Sequence, residues 1–365
     1  MALSIGIVGL PNVGKSTLFN ALNGGGAEAA NYPFCTIDPN VGLVAVPDQR
    51  LDALVKIVNP QAIQHAVVEF VDIAGLVAGA ASGEGLGNKF LGNIRECSAI
   101  AHVVRCFDDE NVTHVNDKVN PVSDIETIDT ELMLKDMESL GKYMERQQKL
   151  SRSGGNKDAE TALAAMQSVL TALEDGITVR RQKHPSSVLE HIEPLNLLTA
   201  KPVLYVANVD DGSLPDGNAY VEQVRAYADA EGAEVAIVSA QIESELIEMD
   251  AADKTEFLSD LGLTEPGLNT VIRTAYKLLN LATYFTAGVK EVRAWTIHVG
   301  DTAPKAAGVI HTDFEKGFIR AETIAYNDFV TLGGEAKCKE AGKMRLEGKD
   351  YIVKDGDVLH FRFNV

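Results

Sequence analysis

The chain has 365 residues, 45% of them hydrophobic and 23% charged, and its 33 Lys and Arg stand against 52 Asp and Glu for a net charge of −19. That length suits two or three domains, and the acidic balance excludes a surface that draws nucleic acid everywhere, so an RNA contact needs a local basic patch. No apolar run reaches a membrane span of about 18 residues, and the first strand starts too near Met1 to leave room for a signal peptide. Cys35, Cys97, Cys106 and Cys338 form no C-x-x-C pair and no zinc spacing, so they read as the reduced thiols of a cytoplasmic protein with no membrane contact.

The first predicted element is the strand Ser4-Ile5-Gly6-Ile7-Val8. It leads into Gly9-Leu10-Pro11-Asn12-Val13-Gly14-Lys15-Ser16-Thr17 and then the helical run Leu18-Phe19-Asn20-Ala21-Leu22. The pattern G-x-x-x-x-G-K-[ST] between a strand and a helix is a phosphate-binding loop. Glycine lets the backbone turn its N–H groups around an anion, and the helix that follows opens with unpaired donors and a positive dipole end. Lys15 reaches the β- and γ-phosphates in such a loop, and the Ser16 hydroxyl ligates Mg²⁺.

A loop with two prolines follows, Asn31 to Asn40. In phosphate-loop switch proteins a threonine of this first mobile loop closes over the γ-phosphate and gives Mg²⁺ a second hydroxyl, the role expected of Thr36. The next strand, Val67 to Val71, ends in Asp72, which can hold a metal-bound water. Gly75 has no Cβ to keep its amide from a γ-phosphate. A surface threonine and a strand-end aspartate are the plain alternatives at positions 36 and 72. Position 76 carries Leu where Ras-like switch proteins carry the water-orienting Gln, so hydrolysis needs another group or is slow. Gly79 to Asn88 is glycine-rich and reads as the second switch loop.

A buried strand, Ala99 to Phe107, precedes two amphipathic helical segments. One has apolar residues at Ile125, Ile128, Leu132, Leu140 and Met144; the other at Ala159, Ala162, Leu163, Met166, Val169, Leu170 and Leu173. The break at Ser153-Gly154-Gly155-Asn156 makes them an antiparallel hairpin inserted in the sheet. Its tip holds Lys142, Arg146, Lys149, Arg152 and Lys157 against Glu145, and Arg180, Arg181, Lys183 and His184 cluster farther on. Such a run is either a solvated helix face or an RNA-phosphate contact.

The sheet resumes at Pro202 to Ala207 and ends in Asn208-Val209-Asp210-Asp211. Guanine-specific switch proteins carry Asn-Lys-x-Asp here; Val209 replaces the Lys, and the spacing Asn-x-x-Asp leaves guanine open. A last strand, Val235 to Val238, runs into Ser239-Ala240-Gln241, a loop expected to pack under the base. Beyond about residue 280, strands at Arg293 to Val299, Asp350 to Val353 and Val358 to Phe363, with a short helix at Ala303 to Ile310, predict a small α+β module.

Taken together, the phosphate loop, Asn31-Tyr32-Pro33-Phe34, Asp72-Ile73-Ala74-Gly75-Leu76-Val77, Gly85-Leu86-Gly87-Asn88-Lys89-Phe90-Leu91, the helical insertion and His311 to Arg320 resemble the Obg-related phosphate-loop ATPases that end in a ubiquitin-like TGS domain. The likeness spans essentially the whole chain. It implies an α/β fold: a doubly wound P-loop NTPase domain (1–120 and 201–280), an inserted antiparallel helical hairpin (121–200) and a C-terminal β-grasp TGS domain (281–365).

The resemblance also implies Mg²⁺-dependent hydrolysis of ATP to ADP and phosphate by a ribosome-binding factor of translation or stress response. The ribosome, as large subunit or whole particle, would be met through the basic hairpin and the TGS domain, with RNA as a possible contact. Asn12, Val13, Gly14, Lys15, Ser16 and Thr17 would bind phosphates, Ser16 and Thr36 would hold Mg²⁺, and Asn12 resembles the loop Asn of relatives in which K⁺ assists. His114, in the stretch Asp108 to Val115, matches a family histidine, and a near-neutral imidazole suits proton handling; a surface histidine is the plain alternative. The family usually ends its base motif in Glu where this chain has Asp211. A GTPase of ribosome assembly, or a ribosome-binding module in which nucleotide is mainly a structural ligand, are the competing readings.

Overall fold

The computed structural model describes residues 3–24, 40–73, 86–114, 118–154 and 157–364. Thr36, Gly75, Leu76, the loop at 31–39 and most of the glycine-rich stretch at 79–88 lie outside the described residues. The chain forms two compact units, residues 1–42 with 69–274 and residues 43–68 with 275–365.

The first unit is built on strands β1 (Ser4–Val8), β2 (Val41–Ala45), β4 (Val67–Asp72), β5 (Ala99–Arg105), β6 (Val203–Asn208) and β7 (Glu234–Val238), in the order β2-β4-β1-β5-β6-β7. From β4 to β7 every neighbouring pair is parallel. Every residue of β1, β5 and β6 is buried, which is why these runs read as continuous apolar stretches rather than alternating ones. The order reverses about β1: the chain steps outward on one side to β4 and on the other to β5, β6 and β7. Ligands of such sheets sit beyond the carboxyl ends of the strands at that switch point, and the phosphate loop follows the carboxyl end of β1.

Helix α1 (Lys15–Gly24) leaves the loop, and α3 (Leu86–Glu96) precedes β5. The helical hairpin is α4 (Pro121–Gly154) against α5 (Lys157–Glu174). Leu140, Met166, Val169 and Leu173 bury themselves between the two helices, at about 1.5–3 kcal/mol for each large side chain. The glycine expected to break the first helix is accommodated: α4 runs through to Gly154. The hairpin returns to the sheet through a 3₁₀ turn (Val179–Arg181) and helix α6 (Ser186–Ile192). Helices α7 (Ala219–Asp229), α8 (Ala240–Glu248), α9 (Ala251–Asp260) and α10 (Gly267–Leu278) complete the unit.

The second unit has the sheet order β11-β10-β12-β8-β9-β3, from β3 (Ala62–Gln64), β8 (Leu281–Ala287), β9 (Glu291–His298), β10 (Phe318–Ile324), β11 (Arg345–Glu347) and β12 (Val358–Phe363). The hairpin β8–β9 is antiparallel, while β12 lies parallel to β8 and antiparallel to β10, the crossed arrangement of a β-grasp. Helix α11 (Ala303–Ile310) covers one face, where Ala303, Ala306 and Ala307 meet Tyr284, Phe361 and Trp295. The other helices are α2 (Gln49–Val58), α12 (Thr312–Lys316), α13 (Tyr326–Leu332) and α14 (Glu335–Glu340).

Two expectations differ from what is found here. Residues 350–353 are not a strand: Ile352 makes only an isolated bridge to Thr302, because Asp357 already takes the Tyr351 hydroxyl and the Lys354 amide to close the turn that follows. The module is also larger than residues 281–365. Residues 43–68 belong to it, since β3 pairs in parallel with β9 and the Arg50 guanidinium binds both Asp48 and Asp355.

Candidate functional site

The phosphate loop takes its shape from two left-handed residues, Asn12 at φ 61° and Gly14 at φ 96°. Asn is among the few side chains that tolerate this region. At Gly14 no side chain fits: a Cβ there would lie 2.3 Å from the Asn208 Nδ2. Gly9 is equally constrained, with a Cβ position 2.5 Å from the Val103 carbonyl oxygen.

Lys15, 7% exposed, donates from Nζ to the Leu10 carbonyl at 2.6 Å. Burial pulls its pKa down to about 8, with the Asp72 carboxylate pulling the other way. Burial likewise raises the pKa of Asp72, against the attraction of Lys15. Asp72 Oδ1 is buried and has no hydrogen-bond partner in the structure. A buried oxygen of this kind is costly unless something satisfies it, and a Mg²⁺ ion or its bound water fits that need. Ser16, exposed one residue beyond Lys15, fits the hydroxyl donor. Among the described residues no three His, Cys, Asp or Glu cluster to hold a metal, which suits an ion held largely by hydroxyls, water and phosphate oxygens.

The base-side motifs brace this loop. The Asn208 side chain donates to the Val13 carbonyl at 2.9 Å and accepts from the Ala240 amide at 2.9 Å, tying the phosphate loop to the turn after β7. Ser239 caps α8 and donates from its hydroxyl to Asp211 at 3.0 Å. The expected Ser-Ala loop is therefore a helix start. Asn12, Gly14, Thr17, Asn208, Val209, Asp211, Ser239, Ala240 and Gln241 all line one cleft of about 890 Å³. Val209 is 2% exposed and replaces a lysine with a side chain that carries no charge into that cleft.

His114 is elsewhere. It is 7% exposed, its Nε2 lies 3.0 Å from Asp124 Oδ2, and it is absent from the cleft lining. The connection to the site is one residue away, where the Asn12 side-chain amide donates to the Thr113 carbonyl at 3.1 Å.

One residue that organises the cleft escaped the sequence reading. Arg105, 2% exposed, donates to the carbonyls of Phe107, Asp109 and Val112 and so pins the segment that forms the far wall. The signal was an arginine inside an otherwise apolar strand. The second basic cluster is likewise not a free surface: Arg180 pairs with Asp129 and Glu231 in the interior, and Arg181 lies 3.7 Å from Glu231.

A parallel sheet, a glycine-shaped loop at its switch point, a buried lysine and a partnerless aspartate define a phosphate-loop nucleoside triphosphatase. A family model described as "50S ribosome-binding GTPase" matches residues 4–137, and YchF-GTPase_C, described as "Protein of unknown function (DUF933)", matches residues 281–364. Proteins named ribosome-binding ATPase YchF from Pasteurella multocida, Escherichia coli O157:H7 and Bacillus subtilis are 60%, 58% and 55% identical, each alignment covering 100% of both chains. The solved YchF GTPase of Schizosaccharomyces pombe is 39% identical with a TM-score of 0.89, over 99% of this chain and 97% of that one. The chain belongs to the YchF family.

Proposed function

We propose that this protein hydrolyses ATP to ADP and phosphate with Mg²⁺ and does so as a cytoplasmic, ribosome-binding switch. The observation that carries the reading is the pairing of a desolvated Lys15 with the unsatisfied Asp72 oxygen at the mouth of a loop whose amides converge on an anion. Magnesium, when bound, neutralises charge on the transferring phosphoryl group. The chain's own groups do the rest. Lys15 faces the β- and γ-phosphates, Ser16, Thr36 and Asp72 hold the ion or its water, Gly75 offers its amide, and Asn12 supplies an oxygen for K⁺.

His114 is the proposed water-positioning group. It reaches the cleft only by leaving Asp124, and its neighbour Thr113 is already held by Asn12, so loop ordering around nucleotide and rotation of the imidazole are coupled. The test compares His114→Ala with Lys15→Ala: both lose turnover, and only Lys15→Ala loses nucleotide affinity. Full turnover in His114→Ala discards the assignment.

Val209 and the names of the bacterial relatives support ATP. Asp211 favours a second reading, GTP, because it keeps a carboxylate where guanine is read. Competition of ADP against GDP decides, and tighter GDP binding overturns ATP. Ribosome binding is read from the relatives' names and from the cationic hairpin tip, where Lys142, Arg146, Lys149, Arg152 and Lys157 are exposed. Co-sedimentation with ribosomes, with and without ATP, tests it; a flat salt dependence argues against RNA phosphates at that tip.

A further inference from the structure

Residues 281–365 hold twelve Lys and Arg and twelve Asp and Glu, so the chain's entire −19 falls on the first 280 residues. Within this neutral module the cations are gathered on one sheet face. Strands β10 and β12 pair with Arg320 opposite Arg362 and Glu322 opposite His360. Phe318, Ala321 and Phe361 turn into the core, and alternation sets Arg320, Glu322, His360 and Arg362 on the opposite, outer face. Across from Glu322 stands Leu346 of β11, 54% exposed. The register slips between Phe318 and Arg320, leaving both Ile319 and Arg320 exposed.

Like charges directly opposite one another weaken a strand pair. Glu322 offsets only one of these: it pairs with Arg362, whose side chain is still 58% exposed. Arg320 has no hydrogen-bond or ion-pair partner among the described residues. Two guanidiniums on facing positions can grip a phosphate together, each with its planar fork of donors. A lone phosphate is served by a concave pocket, whereas this face is open to solvent. That suits a polymer bringing many phosphates to one surface.

We propose that the outer face of β10 and β12, centred on Arg320 and Arg362, docks the sugar-phosphate backbone of RNA when the protein sits on the ribosome. The inference rests on the ribosome-binding reading and gives it a second contact beside the hairpin tip.

The test uses the full chain carrying Arg320→Glu, alone and with Arg362→Gln. Arg320→Glu breaks no hydrogen bond or ion pair among the described residues, and unchanged ATP affinity and thermal melting certify the fold. Binding is read by co-sedimentation with ribosomes and by anisotropy of a fluorescein-labelled 20-nucleotide single-stranded RNA, both across a salt series. The expected result for the double variant is affinity at least about tenfold weaker near 0.1 M salt, with the log–log salt slope smaller by about one for each phosphate the variant no longer neutralises; Arg320→Lys retains most of the binding. Wild-type and variant curves that superimpose in both assays overturn the proposal while leaving ribosome binding standing. Loss on ribosomes with no effect on the RNA probe assigns the face to a ribosomal protein and also overturns it. A wild-type chain that fails to pellet with ribosomes in any nucleotide state refutes the ribosome reading itself, and the RNA probe then decides the face alone.

Discussion

Glu243 sits in the first turn of α8, 4% exposed, with Oε1 accepting the amides of Gly267 at 2.6 Å and Leu268 at 3.3 Å where α10 begins. No cation pairs with it among the described residues. Burial pushes its pKa up from 4.5 to about 7, against the two amides that favour the charged form. A folded-state value above the unfolded one means that the native state holds the extra proton between pH 4.5 and 7. Stability from this group is complete below about pH 4.5 and is lost as pH rises through 7. At 1.36 kcal/mol per pH unit, the charged carboxylate costs the folded protein about 3 kcal/mol at pH 8. Glu243→Gln keeps the accepting oxygen and removes the charge. The expected outcome is a variant close to the wild type at pH 5 and more stable than it by up to about 3 kcal/mol at pH 8. Urea denaturation at several pH values measures this. Far-UV circular dichroism is the proper signal, because the single tryptophan, Trp295, lies in the second unit while Glu243 lies in the first. Stability curves of the two proteins that run parallel from pH 5 to pH 8 refute the reasoning.

Other changes separate chemistry from scaffolding. Lys15→Ala removes the only charged donor of the phosphate loop and should reduce turnover by at least about 10²-fold, checked by phosphate release with saturating Mg²⁺. Asn208→Ala leaves the Val13 carbonyl and the Ala240 amide without their partner, so about 1–3 kcal/mol of stability and much of the nucleotide affinity should go together, visible in denaturation and in fluorescent-nucleotide binding. Arg180→Met strips Asp129 and Glu231 of their buried cation and should cost about 3–5 kcal/mol. Replacing all three groups with apolar residues of similar volume should recover most of that loss, as thermal melting will show.

Where the sequence spoke plainly, local rules and global structure agreed. The strand, loop and helix around Lys15 were legible because each of three independent signals, β-rich run, glycine spacing and helical periodicity, demanded the same geometry. The hairpin was legible through its 3.6-residue repeat. What escaped needed tertiary partners to acquire meaning. Arg105 and Arg180 look like ordinary charges until a strand buries one among carbonyls and a return turn places the other between two carboxylates. Residues 43–68 gave no sign of their partnership with β9, because strand pairing across more than two hundred residues leaves no local periodicity. His114 shows the converse: a residue type apt for catalysis, placed by the fold in a buried pair with Asp124.

The pairing of β3 with β9 has a cost during synthesis. Ala62, Ile63 and Gln64 emerge from the translating ribosome long before Glu291, Val292 and Arg293, the residues they lie beside in the finished sheet. At about 5–20 residues per second, the early segment waits on the order of ten to forty seconds with an open backbone edge and with Ile63 unsheltered. Its company is short and mostly polar: a three-residue strand, Gln61 before it, Gln64 at its end and His65 after it. Brevity and polarity of this sort keep an unpaired edge from seeding aggregation, so the sequence of this segment answers to the order in which the chain is made as well as to the fold it finally joins.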